Sequence, residues 1–360
     1  PSSLSLSCQW LDYNRGAMLG RGAFATVWFA TPKDVDGATS ATATQGGGRA
    51  ACVAVKVIDK PKSLDCVAKS APSASLHDEV TILRNLEHRN VVRILEVYDS
   101  TTSRTMAIVM EHINDGELFD MVERSKEGIA ERGANGARVL FRQIVTGVGY
   151  IHEQGVCHRD LKLSNILMHR DTDGELTVKL ADFGLAASTI NGDRMRTAQR
   201  GSPAYMAPEV FGDGAAQVER YTCACDMWSL GVLLFTMLCR TLPWSVESGD
   251  MQNAQIQTAS VQWLPSAGRA IPLSEEAKDL ITKLLRVDVS QRLTPEQILD
   301  GHEWLRPNLD SAGEDAVAAV HARGGGGSGA NGASGGASGG ASSGASSGGE
   351  SPAKRARLAL

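Results

Sequence analysis

The chain has 360 residues, 42% of them apolar, and a formal net charge of −5 at pH 7. This length predicts about two domains or lobes with a substantial apolar core. The weakly acidic balance gives no reason to expect a basic surface of the kind that binds nucleic acids. No apolar run reaches the roughly 18 residues that a membrane helix needs. Neither a nucleic acid nor a membrane is therefore an expected partner.

In the N-terminal third, β-branched and aromatic residues predict strands over residues 17–30, 51–59, 91–97 and 105–111. The apolar spacing of residues 75–87 predicts a helix between the second and third of these runs. Residues 34–49 are rich in Thr, Ala and Gly, which favours a flexible insertion in a hairpin connection. This part of the chain is therefore predicted to be rich in β-structure.

From about residue 116 onward the pattern becomes mostly helical. Apolar runs predict helices over residues 139–151, 228–238 and 277–285. Seven cysteines are scattered through the chain without a CxxC pair. Cys223 and Cys225 lack a second pair of ligands, so their spacing does not predict a zinc site. An odd, unpatterned number of cysteines is typical of free thiols in a reducing compartment.

The stretch LGRGAFATV (residues 19–27) is one glycine short of the GxGxxG phosphate-binding pattern. A dinucleotide fold requires a helix directly after the glycines, whereas the strand-forming residues TVWF (26–29) follow here. A hairpin of strand, glycines and strand is instead typical of the phosphate-covering flap of protein kinases, and the VAVK run (residues 53–56) matches the strand that follows it there. The glycine loop therefore favours a kinase over a Rossmann fold.

Three further motifs complete the pattern, namely CHRDLKLSNIL (157–167), KLADFG (179–184) and APE (207–209). With the glycine loop and Lys56 they resemble, in order and spacing, the signature motifs of eukaryotic protein kinases. The resemblance covers residues 10–307 and implies an α+β, bilobal kinase fold. It implies a small β-rich N-lobe over about residues 10–113 and a larger, mainly helical C-lobe over about 114–307.

This resemblance implies transfer of the γ-phosphate of ATP to protein substrates. Lys162, two residues after Asp160, is typical of serine/threonine kinases. The C-terminal helical sequence is similar to that of the calcium/calmodulin-dependent kinase-like group, with checkpoint effector kinases as the nearest subgroup. A pseudokinase scaffold is the alternative, but it predicts damage to the catalytic motifs, which are intact here.

The resemblance assigns chemical roles to individual residues. Asp160 would accept the proton of the substrate hydroxyl, and Lys162 would neutralise the γ-phosphate during transfer. Asn165 and Asp182 would be the protein ligands of Mg²⁺, a cation that prefers hard oxygen donors. Lys56 would contact the α- and β-phosphates.

The resemblance implies further ATP contacts from the glycine loop, from the adenine pocket, and from the gatekeeper residue Met110 and the segment after it. These residues are Leu19, Gly20, Gly22, Ala25, Val27, Ala54, Met110, Glu111, Ile113, Glu117 and Leu167. Ala25 replaces the third glycine, which costs on the order of 1 kcal/mol at most if its φ is negative. Glu117 has two alternative roles, a contact to the ribose or recognition of an arginine upstream of the phosphoacceptor.

Lys56 is also expected to pair with a carboxylate on the predicted helix 75–87. Glu79 has apolar residues at i+3, i+4 and i+7, so it faces inward, where a carboxylate needs a partner. Asp78 and Glu87 are the alternatives. Two further contacts are expected to stabilise the fold rather than to take part in the chemistry. Glu209 would pair with Arg292, and Asp226 would brace the catalytic loop, which is the segment of the CHRDLKLSNIL motif (157–167).

Arg159, next to Asp160, suggests that activity is controlled by phosphorylation of the activation loop (residues 182–209). Phosphorylation there would create an arginine–phosphate pair. Thr197 is the favoured site, with Ser188 and Thr189 as alternatives. An upstream kinase or trans-autophosphorylation would supply that phosphate.

Beyond the kinase region, residues 308–323 form a short extension. Residues 324–350 are almost entirely Gly, Ala and Ser, a composition that predicts a disordered linker. In the tail 351–360, Lys354, Arg355 and Arg357 resemble a short nuclear-import signal, so the nucleus, the cytoplasm or both are the expected locations. The alternative is a solvated charged end.

Overall fold

The computed structural model describes residues 12–22, 25–33, 52–59, 84, 86–99, 105–188, 202–211, 222–244, 255–263 and 273–306. The chain divides into two units, Pro1–Trp304 and Leu305–Leu360, and the elements that form the site lie in the first unit. The insertion 34–49, the linker and the basic tail lie outside the described residues. So does the predicted helix 75–87, apart from Arg84, Leu86 and Glu87.

The N-terminal part is a five-stranded antiparallel sheet with the order β1-β2-β3-β5-β4. Its strands are β1 (Tyr13–Arg21), β2 (Ala25–Pro32), β3 (Val53–Asp59), β4 (Ile94–Asp99) and β5 (Thr105–Glu111). The predicted strands are confirmed, with the first run divided into β1 and β2 at the glycine turn. Side chains alternate between the faces, so Ala107 and Val109 pack on one face while Met106 and Ile108 pack on the other.

The C-terminal part is mainly helical, as predicted. Its helices are α1 (Leu118–Arg124), α2 (Ala137–Glu153), α3 (Pro208–Phe211), α4 (Ala224–Cys239), α5 (Glu275–Leu284) and α6 (Pro295–Gly301). Every residue of α4 from Cys225 onward is buried, which is the behaviour of a helix that is apolar on all sides. Helix α4 is therefore the centre of this lobe. Among the described residues, no helix has both the length and the apolarity to span a bilayer.

Two small antiparallel ladders lie between α2 and α3. In the first, β6 (Val156–Cys157) pairs with β9 (Ala187–Ser188), and in the second, β7 (Ile166–Arg170) pairs with β8 (Leu176–Leu180). The loop between β6 and β7 carries the CHRDLKLSN motif, and the loop between β8 and β9 carries the DFG motif. The two ladders therefore bring the two motifs side by side.

Candidate active site

Asp160 lies at the centre of a polar network in the β6–β7 loop. Asn165 Nδ2 donates to its Oδ2 at 2.9 Å and to its backbone oxygen at 2.7 Å. Lys162 Nζ lies 3.1 Å from Oδ2. The Asp160 side chain is only 10% exposed, so these donors fix its orientation. The structure thus brings together three of the residues that the sequence assigns to phosphoryl transfer.

Ser202 completes this network, although nothing in the motif analysis gave it a role. Its backbone N–H and its hydroxyl donate to Asp160 Oδ1 at 3.0 and 3.1 Å. Lys162 Nζ donates to the same hydroxyl oxygen at 2.8 Å. The hydroxyl of Ser202 therefore bridges Lys162 and Asp160. The sequence feature that could have indicated this role is the position of Ser202 near the end of the activation loop, just before the APE motif.

His158 connects the catalytic loop to the DFG segment. Its Nε2 lies 3.0 Å from the carbonyl oxygen of Ala181, and its Nδ1 accepts the backbone N–H of Asp160 at 3.3 Å. These partners require a donor at Nε2 and an acceptor at Nδ1, which is one tautomer of the neutral imidazole. The ring also packs against Phe183 with a centroid distance of 4.7 Å. His158 therefore holds the two loops in a fixed relation.

Lys56 and Asp182 meet across the two lobes, with Lys56 Nζ 3.1 Å from Asp182 Oδ1. Desolvation alone would raise the pKa of Asp182, but the charge and hydrogen bond of the Lys56 ammonium outweigh it, so the pKa lies below its usual value. The Asp182 side chain is 56% exposed, so this ionised carboxylate is accessible from solvent. A cation bound with ATP would compete with Lys56 for it.

The donor set of Asn165 and Asp182 fits a Mg²⁺ ion. Because Asn165 commits its Nδ2 to Asp160, its carbonyl oxygen Oδ1 is the atom that could bind a cation. Asp182 supplies an ionised carboxylate whose pKa is lowered. Both donors are hard oxygens, the type that Mg²⁺ prefers. The residues present therefore fit the cation that the kinase resemblance implies.

The glycine loop is a tight connection between β1 and β2, closed by a 2.8 Å hydrogen bond from Gly22 N to the carbonyl oxygen of Ala25. A Cβ placed on Gly20 would meet no atom of the described protein within 4 Å, and one on Gly22 would meet only the Ala25 oxygen at 3.7 Å. Packing against the described protein therefore does not require these glycines. This leaves room for a ligand to approach the backbone. Ala25 is not among the positive-φ residues, so it begins β2 without strain.

Strand register places several of the residues expected to line the adenine pocket in neighbouring pairs. Val27 pairs with Lys56 across β2 and β3, and Ala54 pairs with Met110 across β3 and β5. Leu167 and Glu117 form an isolated β-bridge. The sheet thus holds Val27, Ala54 and Met110 on its three adjacent strands β2, β3 and β5, with Leu19 half-exposed on β1 and Ile113 just after β5.

Glu111 uses its side chain and one backbone group within the protein. Its Oε1 accepts from Lys179 Nζ at 2.6 Å and from the backbone N–H of Arg93 at 2.8 Å. Its own N–H donates to the carbonyl of Arg93 at 3.1 Å. An adenine edge would therefore have to use the carbonyl oxygen of Glu111.

Asp226, at the start of α4, braces the catalytic loop, which confirms the prediction. The buried carboxylate accepts the backbone N–H groups of His158 and Arg159 at 2.8 Å each and lies 2.9 Å from His152 Nε2. Burial alone would raise the pKa of Asp226, but the hydrogen bond and charge of His152 lower it overall. Arg159 has φ of 66° and donates its Nε to the carbonyl of Leu185. Asp226 therefore stabilises the left-handed backbone conformation of Arg159.

The predicted Glu209–Arg292 pair is also confirmed. Arg292 Nη1 and Nη2 lie 2.7 and 3.1 Å from the two carboxylate oxygens of Glu209. The Arg292 side chain is fully buried and also donates to the carbonyls of Ala224 and Arg286. This two-point pair anchors the APE motif to α4 and to the segment after α5.

Several predicted residues cannot be placed. Glu79, its alternative Asp78, Thr197 and Thr189 lie outside the described residues, and only the backbone of Ser188 is described. Glu87, the other alternative partner of Lys56, is described. Its Oε1 lies 3.3 Å from Arg93 Nη2 in an exposed pair. Glu87 is thus engaged with Arg93.

The model of the protein kinase domain matches residues 13–305. The chain is 36% identical over 298 residues to the probable serine/threonine-protein kinase fhkE of Dictyostelium discoideum, covering 82% of this chain and 38% of that protein. It is 34% identical over 294 residues to the calcium/calmodulin-dependent protein kinase type 1 of Macrobrachium nipponense, covering 82% of this chain and 75% of that protein. It is 35% identical over 300 residues to the serine/threonine-protein kinase RAD53 of Saccharomyces cerevisiae, covering 80% of this chain and 32% of that protein.

The matched region thus spans less than half the length of two of these relatives. The family model nevertheless covers most of this chain, and two of these relatives are named as serine/threonine-protein kinases and the third as a calcium/calmodulin-dependent protein kinase. The resemblance that the motifs carry is confirmed. This chain belongs to the protein kinase domain family, with relatives of the serine/threonine, calcium/calmodulin-dependent kinase-like type.

Proposed function

We propose that this chain is an active serine/threonine protein kinase that uses ATP and Mg²⁺. The observation that carries the proposal is the network around Asp160. Asn165, Lys162 and Ser202 all direct donors at its carboxylate. A pseudokinase scaffold would have no need to keep this carboxylate so precisely oriented. Family membership favours the same conclusion.

The chemistry follows from the positions of the residues. Asp160 accepts the proton of a serine or threonine hydroxyl, and that oxygen attacks the γ-phosphorus as the bond to the β-phosphate oxygen breaks. Lys162, held by Ser202, neutralises charge on the transferred group. Lys56 would bind the α- and β-phosphates. The Mg²⁺ held by Asn165 and Asp182 would supply charge neutralisation on the phosphate oxygens.

The direct test is transfer of labelled γ-phosphate to a peptide panel with and without Mg²⁺. The panel contains matched peptides with Ser, Thr or Tyr as acceptor. We expect Mg²⁺-dependent labelling of Ser and Thr peptides and none of Tyr peptides. Saturable ATP binding without transfer to any peptide, by protein in its activated form, would instead support the scaffold alternative.

Substrate preference is a finer proposal. Glu117 lies at the N-cap of α1, bridged to Leu167 of β7, beside the expected nucleotide pocket. A carboxylate there could bind an arginine upstream of the phosphoacceptor. Arginine-containing peptides should then show a lower KM than alanine-substituted peptides, and Glu117→Gln should reduce that difference. A Glu117→Gln effect confined to the KM for ATP would assign the residue to the ribose instead.

Regulation by activation-loop phosphorylation is also proposed. Arg159 lies at the base of the loop that begins after β8, with its Nε donating to the carbonyl of Leu185 in that loop. A phosphate on Thr197 would form an ion pair with the Arg159 guanidinium. An upstream kinase or trans-autophosphorylation would add it. Mass-spectrometric mapping of active protein should find Thr197 phosphorylated, and Thr197→Ala should blunt activation; occupancy at Ser188 or Thr189 alone would contradict this choice.

A further inference from the structure

Three cysteines from two distant parts of the sequence meet directly behind the catalytic loop. Cys157 ends β6, while Cys223 and Cys225 lie at the start of α4. The Sγ atoms of Cys157 and Cys225 are 3.6 Å apart, and the Cys223 thiol lies near enough to Cys157 to raise its pKa. Cys157 and Cys225 are buried, whereas Cys223 is partly exposed. We call these three residues the thiol cluster.

We propose that the thiol cluster is an oxidative modification site, at which a peroxide forms a disulfide between Cys157 and Cys225 and Cys223 is the point of attack. The two buried sulfur atoms are in contact and need to approach by only about 1.5 Å to reach the S–S bond length of about 2.05 Å. Cys223 connects this pair to solvent. The cluster therefore contains both an accessible thiol and a buried pair poised to bond.

The chemistry balances within the cluster and one peroxide molecule. The Cys223 sulfur attacks a peroxide oxygen, the O–O bond breaks, and a sulfenic acid and one water form. The Cys157 thiol displaces the hydroxyl group from Cys223 as a second water, which leaves a Cys157–Cys223 disulfide. Cys225 then attacks the Cys157 sulfur, and its proton passes to the departing Cys223 thiolate. Two thiols are oxidised and one peroxide is reduced to two waters.

The burial of Cys157 and Cys225 explains why peroxide must react first with Cys223. Desolvation raises the pKa of Cys157 well above its usual value, and Cys225 is also shifted upward. The thiolate is the reactive form, so the buried pair would react slowly with peroxide directly. A sulfenic acid on the neighbouring Cys223 reacts with Cys157 within the protein, and this proximity offsets the small thiolate fraction of Cys157. The final product removes two buried thiols without adding charge.

The hydrogen bonds of Asp226 favour a disulfide over a metal ion at this position. Cys157, Cys225 and Asp226 have ligand atoms within 4.8 Å of one another. A metal ion here would need the Asp226 carboxylate as a ligand beside the two thiolates. Asp226 is already committed to His152 and to two backbone N–H groups.

The position of the disulfide predicts its effect on the catalytic loop. Cys157 directly precedes His158, and Cys225 directly precedes Asp226, which holds the His158 and Arg159 backbone. Drawing the two sulfur atoms together would shift both ends of this brace. We therefore expect oxidation to lower kcat, with recovery on reduction. This effect on turnover rests on the proposed function, whereas formation of the disulfide does not.

The experiment treats the folded 360-residue chain with hydrogen peroxide, blocks remaining thiols by alkylation and maps the peptides without reduction. We expect a Cys157–Cys225 disulfide that dithiothreitol removes. Cys223→Ser should slow its formation at least tenfold, and Cys225→Ala should shift the product to Cys157–Cys223. Cys239→Ser is the matched control, since Cys239 is also buried in α4 with its pKa raised to about 12, and it should leave the rate unchanged.

Two outcomes would overturn the proposal. One is oxidation of exposed Cys52 while Cys157 and Cys225 remain fully alkylatable after unfolding. The other is unchanged disulfide formation in Cys223→Ser, which would remove the proposed point of attack. Thermal unfolding of each variant checks that it folds. Because the disulfide is read by mass, an inactive kinase would not obscure the result.

Discussion

At the scale of single residues, two non-glycine positions in the site adopt left-handed backbone. Arg159 has φ of 66° and Asp182 has φ of 60°, a conformation that costs roughly 1–2 kcal/mol for an L-residue. The Arg159 N–H is held by Asp226 at 2.8 Å, and the Asp182 carboxylate is held by Lys56 at 3.1 Å. Side-chain bonds from distant segments thus stabilise the conformations that aim the two loops at each other.

The first prediction tests Asp160 as the proton acceptor. Asp160→Asn keeps the shape of the side chain and removes the basic carboxylate, so kcat should fall by about 10²- to 10⁴-fold. ATP affinity, measured by calorimetry, should change little because Lys56 and Asp182 remain. Asp173→Asn makes the same substitution at an exposed turn and should be neutral. Normal turnover by Asp160→Asn would show that another group accepts the proton.

The second prediction tests Ser202 as a positioning residue. Ser202→Ala removes the hydroxyl that bridges Lys162 and Asp160, so kcat should fall about tenfold, the equivalent of roughly 1.4 kcal/mol. KM for ATP should stay unchanged. Ser202→Thr retains the hydroxyl and should restore most of kcat. Equal losses in the Ala and Thr variants would indicate a steric role rather than a hydrogen-bonding one.

At the scale of secondary-structure elements, long periodic segments were predictable and short ones were not. β3, β5, α2 and α4 carry sustained apolar patterns, and the ends of each lie within four residues of its predicted range. The β6–β9 ladder has two residues per strand, which is too short for any periodicity to register. Its pairing depends on tertiary contacts, since α4 anchors the loop on which β6 lies. Local pattern therefore cannot reveal it.

The third prediction concerns Glu131, which ties together the start of α5 and Trp304. Its carboxylate accepts the backbone N–H and hydroxyl of Ser274 at 2.8 and 2.7 Å and Trp304 Nε1 at 2.9 Å. Glu131→Gln should lower the free energy of unfolding by about 3 kcal/mol, because it replaces a carboxylate oxygen with an NH₂ group facing donors. Urea denaturation measures this change. Glu275→Gln, on an 86% exposed side chain, should have little effect.

The same carboxylate predicts the fourth outcome, a pH dependence. Desolvation would raise the pKa of Glu131, but its hydrogen bonds to Ser274 and Trp304 and the nearby Arg138 lower it overall. A lowered folded pKa means that this stability is present above the ordinary value of 4.5 and is lost as pH falls through the lower folded value. Wild-type protein should therefore lose stability below pH 4.5 more steeply than Glu131→Gln. Parallel curves would contradict the assignment.

At the scale of the whole molecule, the sequence identified the catalytic motifs because each is a contiguous run. The contacts among those motifs were less accessible. Asp226 as a brace and Glu209 with Arg292 followed from the family resemblance, and both are confirmed. The bridging role of Ser202 and the meeting of Cys157 with Cys225 join residues 42 and 68 positions apart. No periodicity or spacing encodes such encounters, so only the folded chain shows them.

The last prediction concerns the basic tail, residues 351–360, which lies outside the described residues and beyond the 13–305 region that matches the kinase family. We propose that Lys354, Arg355 and Arg357 form a nuclear-import signal, since such receptors bind short basic segments through acidic grooves. A fluorescent protein too large to diffuse through nuclear pores, fused to this tail, should accumulate in the nucleus.

Replacing Lys354 and Arg355 by Ala should abolish that accumulation, whereas Lys354→Arg with Arg355→Lys preserves both charges and should retain it. In the 360-residue chain, the Ala pair should shift the protein towards the cytoplasm and leave peptide phosphorylation unchanged, because the residues that carry the proposed chemistry lie within the 13–305 region. Equal distribution of the wild-type and Ala fusions would show that these basic residues are only a solvated charged end of the chain. A loss of kinase activity in the Ala pair would point to a role for the tail in the domain itself.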